Sequence, residues 1–242
     1  MIRLFTGLTD PGMVRTVNQD AFYLDDPEEG RFLIVADGMG GHAGGQEASH
    51  IATQEIQNYL NKYWSAPLAS EDLLQKALLA ANEAIVQDQS KHPERSDMGT
   101  TVVVVMFRED RLWYSHVGDS RLYLLRDSTL EQITEDHTWV SKAMQSGDLT
   151  QAQARVHPWR HVLAQCLGRQ DLHEIEVQSL DVLPGDRLLL CSDGLTEELP
   201  DAEIASYLQS HSTGETAAAA LIDAAKKHGG RDNITVVIVA ID

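Results

Sequence analysis

Only two of the 242 residues are cysteine, Cys166 and Cys191. They have neither the close spacing of a redox or zinc motif nor the density of a secreted disulfide framework, so a reducing, cytoplasmic setting is expected. Basic side chains are also scarce: 19 Lys and Arg stand against 37 Asp and Glu, a formal charge of −18. Without a run of Lys or Arg, such a chain repels nucleic acid and anionic lipid, and neither is an expected partner. No stretch reaches the roughly 18 consecutive apolar residues that read as a membrane span. The first ten residues lack the charged start and apolar core of an export signal. Low-complexity tracts and internal repeats are missing too, and nothing in the middle reads as a linker. The balance of 43% hydrophobic and 23% charged residues is that of a chain able to bury a core. One domain over residues 1–242 is expected, as a monomer.

Short runs rich in β-branched residues dominate: Ile2 to Leu8, Ala21 to Asp25, Arg31 to Ala36, Thr100 to Phe107, Arg111 to Val117, Arg121 to Leu125, Ile175 to Leu180, Arg187 to Cys191 and Ile234 to Ile241. Helical periodicity marks Gly45 to Tyr63 and Ser70 to Gln89, the latter with Ser70 as its expected N-cap. Shorter helices are expected at Thr138 to Ser146, Asp201 to Gln209 and Gly214 to Lys227. Three strands fall between Thr100 and Leu125 with no helix among them, so they are expected to be antiparallel neighbours, which argues against a doubly wound parallel sheet. Strands and helices in blocks predict an α+β fold of two packed sheets covered by helices. Residues 136–168 are irregular, with breaks at Gly147 and Pro158, and read as a flap.

Four aspartates sit where a strand-like run meets a turn: Asp37 in Val-Ala-Asp-Gly, Asp119 in Val-Gly-Asp-Ser, Asp193 in Cys-Ser-Asp-Gly, and Asp232 in Gly-Arg-Asp-Asn before Ile234. Singly, each reads as an ordinary turn residue. Together they can converge, because strand ends and strand starts meet at one edge of an antiparallel sheet. Clustered carboxylates repel unless a cation offsets them, and an oxygen-only donor set selects Mg²⁺ or Mn²⁺ over zinc. A pair of such ions can activate a water nucleophile at neutral pH, and no Ser/His/Asp or Cys/His arrangement with recognisable context competes for that role.

Upstream, Arg15 opens the string Arg-Thr-Val-Asn-Gln-Asp. A guanidinium there can clamp two phosphate oxygens, the plainer reading being an exposed surface arginine. Asp20 can orient a water beside a metal or simply cap a turn. After Asp37 comes Gly38-Met-Gly-Gly-His42-Ala-Gly-Gly, whose glycines would let backbone approach an ion, with the Gly38 carbonyl as a possible ligand. His42 can protonate a departing serine or threonine alkoxide, although a lone histidine is more often structural.

These strings, with Gly99-Thr100-Thr101 and Gly118-Asp119-Ser120-Arg121, resemble the protein phosphatase 2C family of metal-dependent serine/threonine phosphatases over essentially the full chain. The resemblance implies a central β-sandwich of two antiparallel sheets flanked by helix pairs, four layers in αββα order. It implies a two-metal Mn²⁺ or Mg²⁺ centre on Asp37, the Gly38 carbonyl, Asp193 and Asp232, with Asp20 joined through water and Asp119 helping to hold a third, weaker ion. Residues 136–168 correspond to the flap of bacterial members, where His161 would touch substrate. Animal and plant members carry His two residues after the metal aspartate; here that position is Met39 and a histidine stands at 42, as in the bacterial variant. The string His157-Pro-Trp-Arg-His161 and the length resemble cyanobacterial members, including the phosphatase of the PII nitrogen-signalling protein, which makes phosphorylated PII a candidate substrate.

Rival readings attach to particular strings. Gly38-Met-Gly-Gly-His-Ala satisfies a dinucleotide-binding fingerprint, but Asp37 would set negative charge beside a pyrophosphate and no acidic strand end follows about 20 residues on. A catalytically inactive phosphatase-like module that binds a phosphoprotein would usually have lost ligands that are all present here. His157 and His161 have a zinc-like spacing, which Pro158 disrupts. The four tryptophans read as core or flap packing.

Overall fold

The computed structural model describes residues 3–26, 29–41 and 44–242. Eleven strands are assigned among these residues, and they form two antiparallel sheets. One has the order β1-β11-β10-β7-β8, from β1 (Arg3–Asp10), β11 (Ile234–Ile241), β10 (Arg187–Cys191), β7 (Arg121–Arg126) and β8 (Thr129–Gln132). The other has the order β2-β3-β5-β6-β9, from β2 (Asp20–Leu24), β3 (Phe32–Met39), β5 (Val102–Arg108), β6 (Arg111–Val117) and β9 (Val177–Leu180), with β4 (Gly99–Thr100) added beside β3.

Side chains alternate across a strand, and here both faces are apolar, so nearly continuous hydrophobic runs serve two cores at once. In β5, Val102, Val104 and Met106 pack beneath α1 (Gly44–Tyr63) and α2 (Ser70–Lys91), while Val103, Val105 and Phe107 point into the space between the sheets. In β11, Ile234, Val236 and Ile238 face α5 (Asp193–Thr196), α6 (Asp201–Ser210) and α7 (Gly214–His228), and Val237, Val239 and Ile241 fill the sandwich. The result is the expected αββα layering.

Two local expectations are corrected. The strands β5 and β6 pair as an antiparallel hairpin, but β7 leaves for the opposite sheet, so β6 and β7 are not neighbours. The turning point is Gly118, whose φ of +105° is unstrained only for glycine and whose missing Cβ would lie 2.7 Å from the Thr101 side chain. A three-residue link looks the same in sequence whether the chain folds back or crosses between sheets. Ser70 does not cap α2: Ala69 holds the N-cap position, and the Ser70 hydroxyl donates instead to Glu109 in the β5–β6 turn at 3.0 Å.

The connection between β8 and β9 contains α3 (Trp139–Gln145) and α4 (Gln151–Arg155), both capped by threonines, Thr138 and Thr150. Trp139 stacks on His157 there and Trp159 meets both rings edge-on, at centroid distances of 4.9 to 5.8 Å, and both tryptophans stay partly exposed. Trp64 and Trp113 pack against the α1–α2 core, as expected.

Candidate active site

The crossover at Gly118, the start of β2, the end of β3, the end of β10 and the start of β11 all meet at one edge of the sandwich. Asp20 opens β2 and lies directly opposite Asp37 of β3 in the ladder. Asp37 therefore sits within its strand rather than after it. Its backbone is fixed by Thr101, whose hydroxyl accepts the Asp37 N–H at 3.0 Å and whose N–H donates to the Asp37 carbonyl at 2.8 Å. Thr101 also bonds Ser120 at 2.6 Å, hydroxyl to hydroxyl, so the residues flanking Asp119 and Asp37 share one buried anchor.

Asp193 begins α5, and Gly194 beside it has no room for a Cβ, which would meet the Asn233 carbonyl at 1.9 Å. That contact locks the Asp193 turn onto the Asp232–Asn233 turn. Asn233 ties in the loop that carries Arg15: its amide donates to the carbonyls of Pro11 and Val17, at 3.1 and 3.0 Å, and its Oδ1 accepts the Gln19 N–H at 2.7 Å. Arg231, next to Asp232, is forked onto the buried Glu198 carboxylate at 2.9 and 3.0 Å.

The electrostatics record how closely these acids are gathered. Burial pushes Asp20 up to about 7, with Asp193 and Asp232 adding to the rise; hydrogen bonds from Thr235 and Ser192 oppose it. Burial raises Asp37 well above the usual range, reinforced by Asp20, Asp193, Asp119 and Asp232. Asp193 rises to about 6 through burial, Asp232 and Glu197, while a hydrogen bond with Asp37 and the nearby His161 pull it down. Asp119 is likewise raised by burial, Asp193 and Asp136, and Arg121 partly offsets this. The five aspartates named from the sequence thus fall within one mutually repelling group.

Their side chains as placed engage one another and their neighbours. Among the described residues, no three His, Cys, Asp or Glu side chains are already spaced to hold an ion. Arg15 Nη2 lies 2.7 Å from Asp232 Oδ2 in an exposed pair. Asp20 Oδ2 accepts from Ser192 and Thr235 at 2.7 and 2.6 Å, whereas its Oδ1 is buried without a partner. An unpaired buried carboxylate oxygen beside further carboxylates suits hard divalent cations and water, so the donor set fits Mn²⁺ or Mg²⁺. Zinc is a poorer match. His157 Nδ1 accepts the Trp159 N–H at 3.1 Å, and His161 Nδ1 faces Glu197 at 3.2 Å, so the two rings have separate partners.

Gly38 is enclosed: a Cβ there would stand 1.9 Å from the Gly45 carbonyl and 2.7 Å from that of Gln19. The glycine run thus lets α1 pack directly on β3, which is a different use from cradling a pyrophosphate. His42 lies outside the described residues. A cavity of about 950 Å³ runs from Asp119 and Asp193 beneath the β8–β9 connection toward Arg160 and Asp201, much larger than a phosphoryl group requires.

Ser192, Thr235 and Asn233 escaped the sequence reading as contributors. The one faint signal was Thr235, a lone polar residue in the otherwise apolar run Ile234–Ile241, fully buried because its hydroxyl serves Asp20.

A sandwich whose edge gathers acidic oxygens beside an arginine fits the class of metal-dependent phosphohydrolases. The particular family follows from comparison with known proteins: the family model described as protein phosphatase 2C matches residues 14–225. The chain belongs to the protein phosphatase 2C family and is a protein-serine/threonine phosphatase acting on phosphoproteins. It is 35% identical to the serine/threonine phosphatase stp of Listeria innocua over 96% of this chain and 93% of that protein. It is 36% identical to the Mycobacterium tuberculosis phosphatase PstP over the whole of this chain, which spans 45% of PstP. A crystal structure of the mycobacterial PstP/Ppp superposes with a TM-score of 0.91 at 35% identity, covering 100% of both chains. The PstP catalytic domain in complex with two manganese ions superposes with a TM-score of 0.85 at 34% identity, covering 99% of both.

Proposed function

We propose that this chain hydrolyses phosphoserine and phosphothreonine esters at the Asp37–Asp193–Asp232 edge, with two Mn²⁺ or Mg²⁺ ions held by those carboxylates and the Gly38 carbonyl. The observation that carries the reading is the convergence of five aspartates from distant stretches, with neighbouring aspartates helping to raise Asp20, Asp37, Asp119 and Asp193, around a buried oxygen of Asp20 that has no partner. Asp20 orients water beside the ions, and Asp119 contributes to a third, weaker site. Bound ions would lower the pKa of a water and withdraw charge from the phosphoryl oxygens.

The chain's own residues do the rest. Arg15 is exposed and, among the described residues, is paired with Asp232 alone, so its guanidinium can swing onto two phosphate oxygens. His161 stands near enough to Asp193 to lower its pKa and faces Glu197 of the cavity lining, which supports its reading as a substrate contact. Residues 136–168, within the β8–β9 connection, act as a flap over the cavity. The general-acid role assigned to His42 is carried by its sequence position alone. The flap string His157 to His161 makes phosphorylated PII the first protein substrate to try. Two free thiols fit a cytoplasmic setting, and no helix among the described residues is long and apolar enough to cross a membrane. The protein is proposed to act as a monomer.

The test is hydrolysis of p-nitrophenyl phosphate, a phosphopeptide and phosphorylated PII, with Mn²⁺, with Mg²⁺ and with EDTA, by wild type and Asp193→Ala. EDTA should abolish turnover, and the substitution should reduce it by about a hundredfold or more. Full activity in EDTA would remove the metal reading, and inertness toward PII alone would remove only that substrate.

A further inference from the structure

The Asp119 loop is gripped from two sides, and the second grip comes from the flap. Below, Gly118 rests on Thr101, and Ser120 is bonded to the same threonine. Above, His137 makes a reciprocal pair of hydrogen bonds with Gly118: its N–H donates to the Gly118 carbonyl at 2.9 Å, and its Nδ1 accepts the Gly118 N–H at 3.3 Å. The His137 carbonyl in turn accepts the Ala164 N–H at 2.8 Å, from the returning arm of the flap. Its ring stacks on His116 of β6 at 4.3 Å and 24°, and His116 Nε2 lies 2.7 Å from the Glu135 carbonyl. One residue therefore touches the Asp119 loop, the sheet beneath it and both arms of the flap stem.

We propose that His137 is a positioning residue: it clamps Gly118 to the flap stem and so sets where Asp119 points. This rests on the reading of Asp119 as part of the metal-binding edge. Gly118 is the point where the chain crosses between sheets at positive φ, so the direction taken by Asp119 depends on two peptide planes, and His137 holds both polar groups of Gly118. The ring must be unprotonated at Nδ1 to accept. Burial, with help from His116 and Lys142, lowers its pKa to about 4, which keeps that nitrogen available at neutral pH.

Two substitutions separate the clamp from mere packing. His137→Phe keeps an aromatic ring against His116 and removes the acceptor. His137→Asn loses the stack, but its amide oxygen falls close to the place of Nδ1 and restores the acceptor. In the purified protein, amide hydrogen exchange over residues 117–121 should be faster by about tenfold in His137→Phe and return to within about threefold of wild type in His137→Asn. The Mn²⁺ concentration giving half-maximal hydrolysis of p-nitrophenyl phosphate should rise severalfold in the first variant and recover in the second. Circular dichroism checks that each is folded, and if His137→Phe is not, wild-type-like exchange and Mn²⁺ dependence in His137→Asn still support the clamp. Wild-type exchange in a folded His137→Phe would overturn the proposal, and if His137→Asn were then the damaged variant the role would pass to stacking on His116; equal damage in both would overturn it too, because restoring the acceptor would not have restored the loop. Absence of Mn²⁺-dependent hydrolysis in wild type would sink the metal reading instead, and the exchange comparison would still decide the clamp.

Discussion

Asp20 and Asp37 face each other directly across the β2–β3 ladder, and both carboxylates leave the sheet on the same side. Like charges in that relation destabilise a sheet, and burial multiplies the effect. The pair persists because Ser192 and Thr235 donate to Asp20, and because a proton or a cation can offset the remaining charge. Without a cation, the proton must do so.

The metal-free protein should therefore lose stability as the pH rises. Asp20 and Asp193 have folded-state pKa values of about 7 and about 6 against 3.8 for the ordinary side chain. Between pH 4 and 7 these carboxyls hold more protons in the folded chain than in the unfolded one, so their contribution to stability falls through that window, outweighing the opposite effect of His137 below its ordinary pKa. A carboxyl moved that far for Asp20 is worth on the order of 4 kcal/mol. Urea midpoints in EDTA should be lower at pH 8 than at pH 5; a midpoint that climbs over that range contradicts the prediction. Adding Mn²⁺ at a hundred times its dissociation constant should return about 2.7 kcal/mol for each ion bound at pH 8.

The same repulsion sets activity against stability. Replacing Asp37 with Asn removes the carboxyl whose charged form burial, Asp20, Asp193, Asp119 and Asp232 together oppose. The metal-free variant should melt at a higher temperature than wild type by several degrees, equivalent to about 1 to 2 kcal/mol, while turnover drops by orders of magnitude. Calorimetry in EDTA reads the first effect and phosphopeptide hydrolysis the second. A melting temperature that falls would show that the acids are not in conflict.

Arg15 offers the opposite combination. Its bond to Asp232 is solvent-exposed, so losing it should alter stability by less than about 1 kcal/mol. Its proposed contact with phosphate exists before the transition state as well as in it, so Arg15→Ala should raise KM for a phosphopeptide by about tenfold. Steady-state kinetics with excess Mn²⁺ decides: an unchanged KM removes the clamp.

Much of this site was legible because it uses residues whose chemistry is visible without coordinates. Asp37, Asp119, Asp193 and Asp232 each follow or precede an apolar run, and strand ends in antiparallel sheets have few places to go. The runs Thr100 to Phe107 and Ile234 to Ile241 announced strands, and the structure buries both on two faces. What stayed hidden depends on three-dimensional neighbours. That β7 joins the other sheet is decided by the φ of Gly118 and its contact with Thr101, neither of which leaves a compositional mark. Ser70 has the residue type of an N-cap, yet Glu109, 39 positions away, takes its hydroxyl. His137 is one histidine among ten, and only the closeness of Gly118 gives it work.

Thr101 provides the sharpest test of how the edge is assembled, because one hydroxyl serves two partners. Valine has nearly the same shape, so Thr101→Val leaves packing in place and removes only the bonds to the Asp37 N–H and the Ser120 hydroxyl. Both partners would then be buried and unpaired, at a cost of about 2 to 4 kcal/mol. Ser120→Ala should cost about 1 kcal/mol, since the Thr101 hydroxyl keeps the Asp37 N–H. In the double variant no Ser120 hydroxyl is left stranded, so its destabilisation should be smaller than the sum of the two single losses by about 1 kcal/mol or more. Denaturant unfolding of the four proteins completes the cycle. Strict additivity would mean that Thr101 and Ser120 do not act through their 2.6 Å contact, and that the Asp37 strand and the Asp119 loop are held independently.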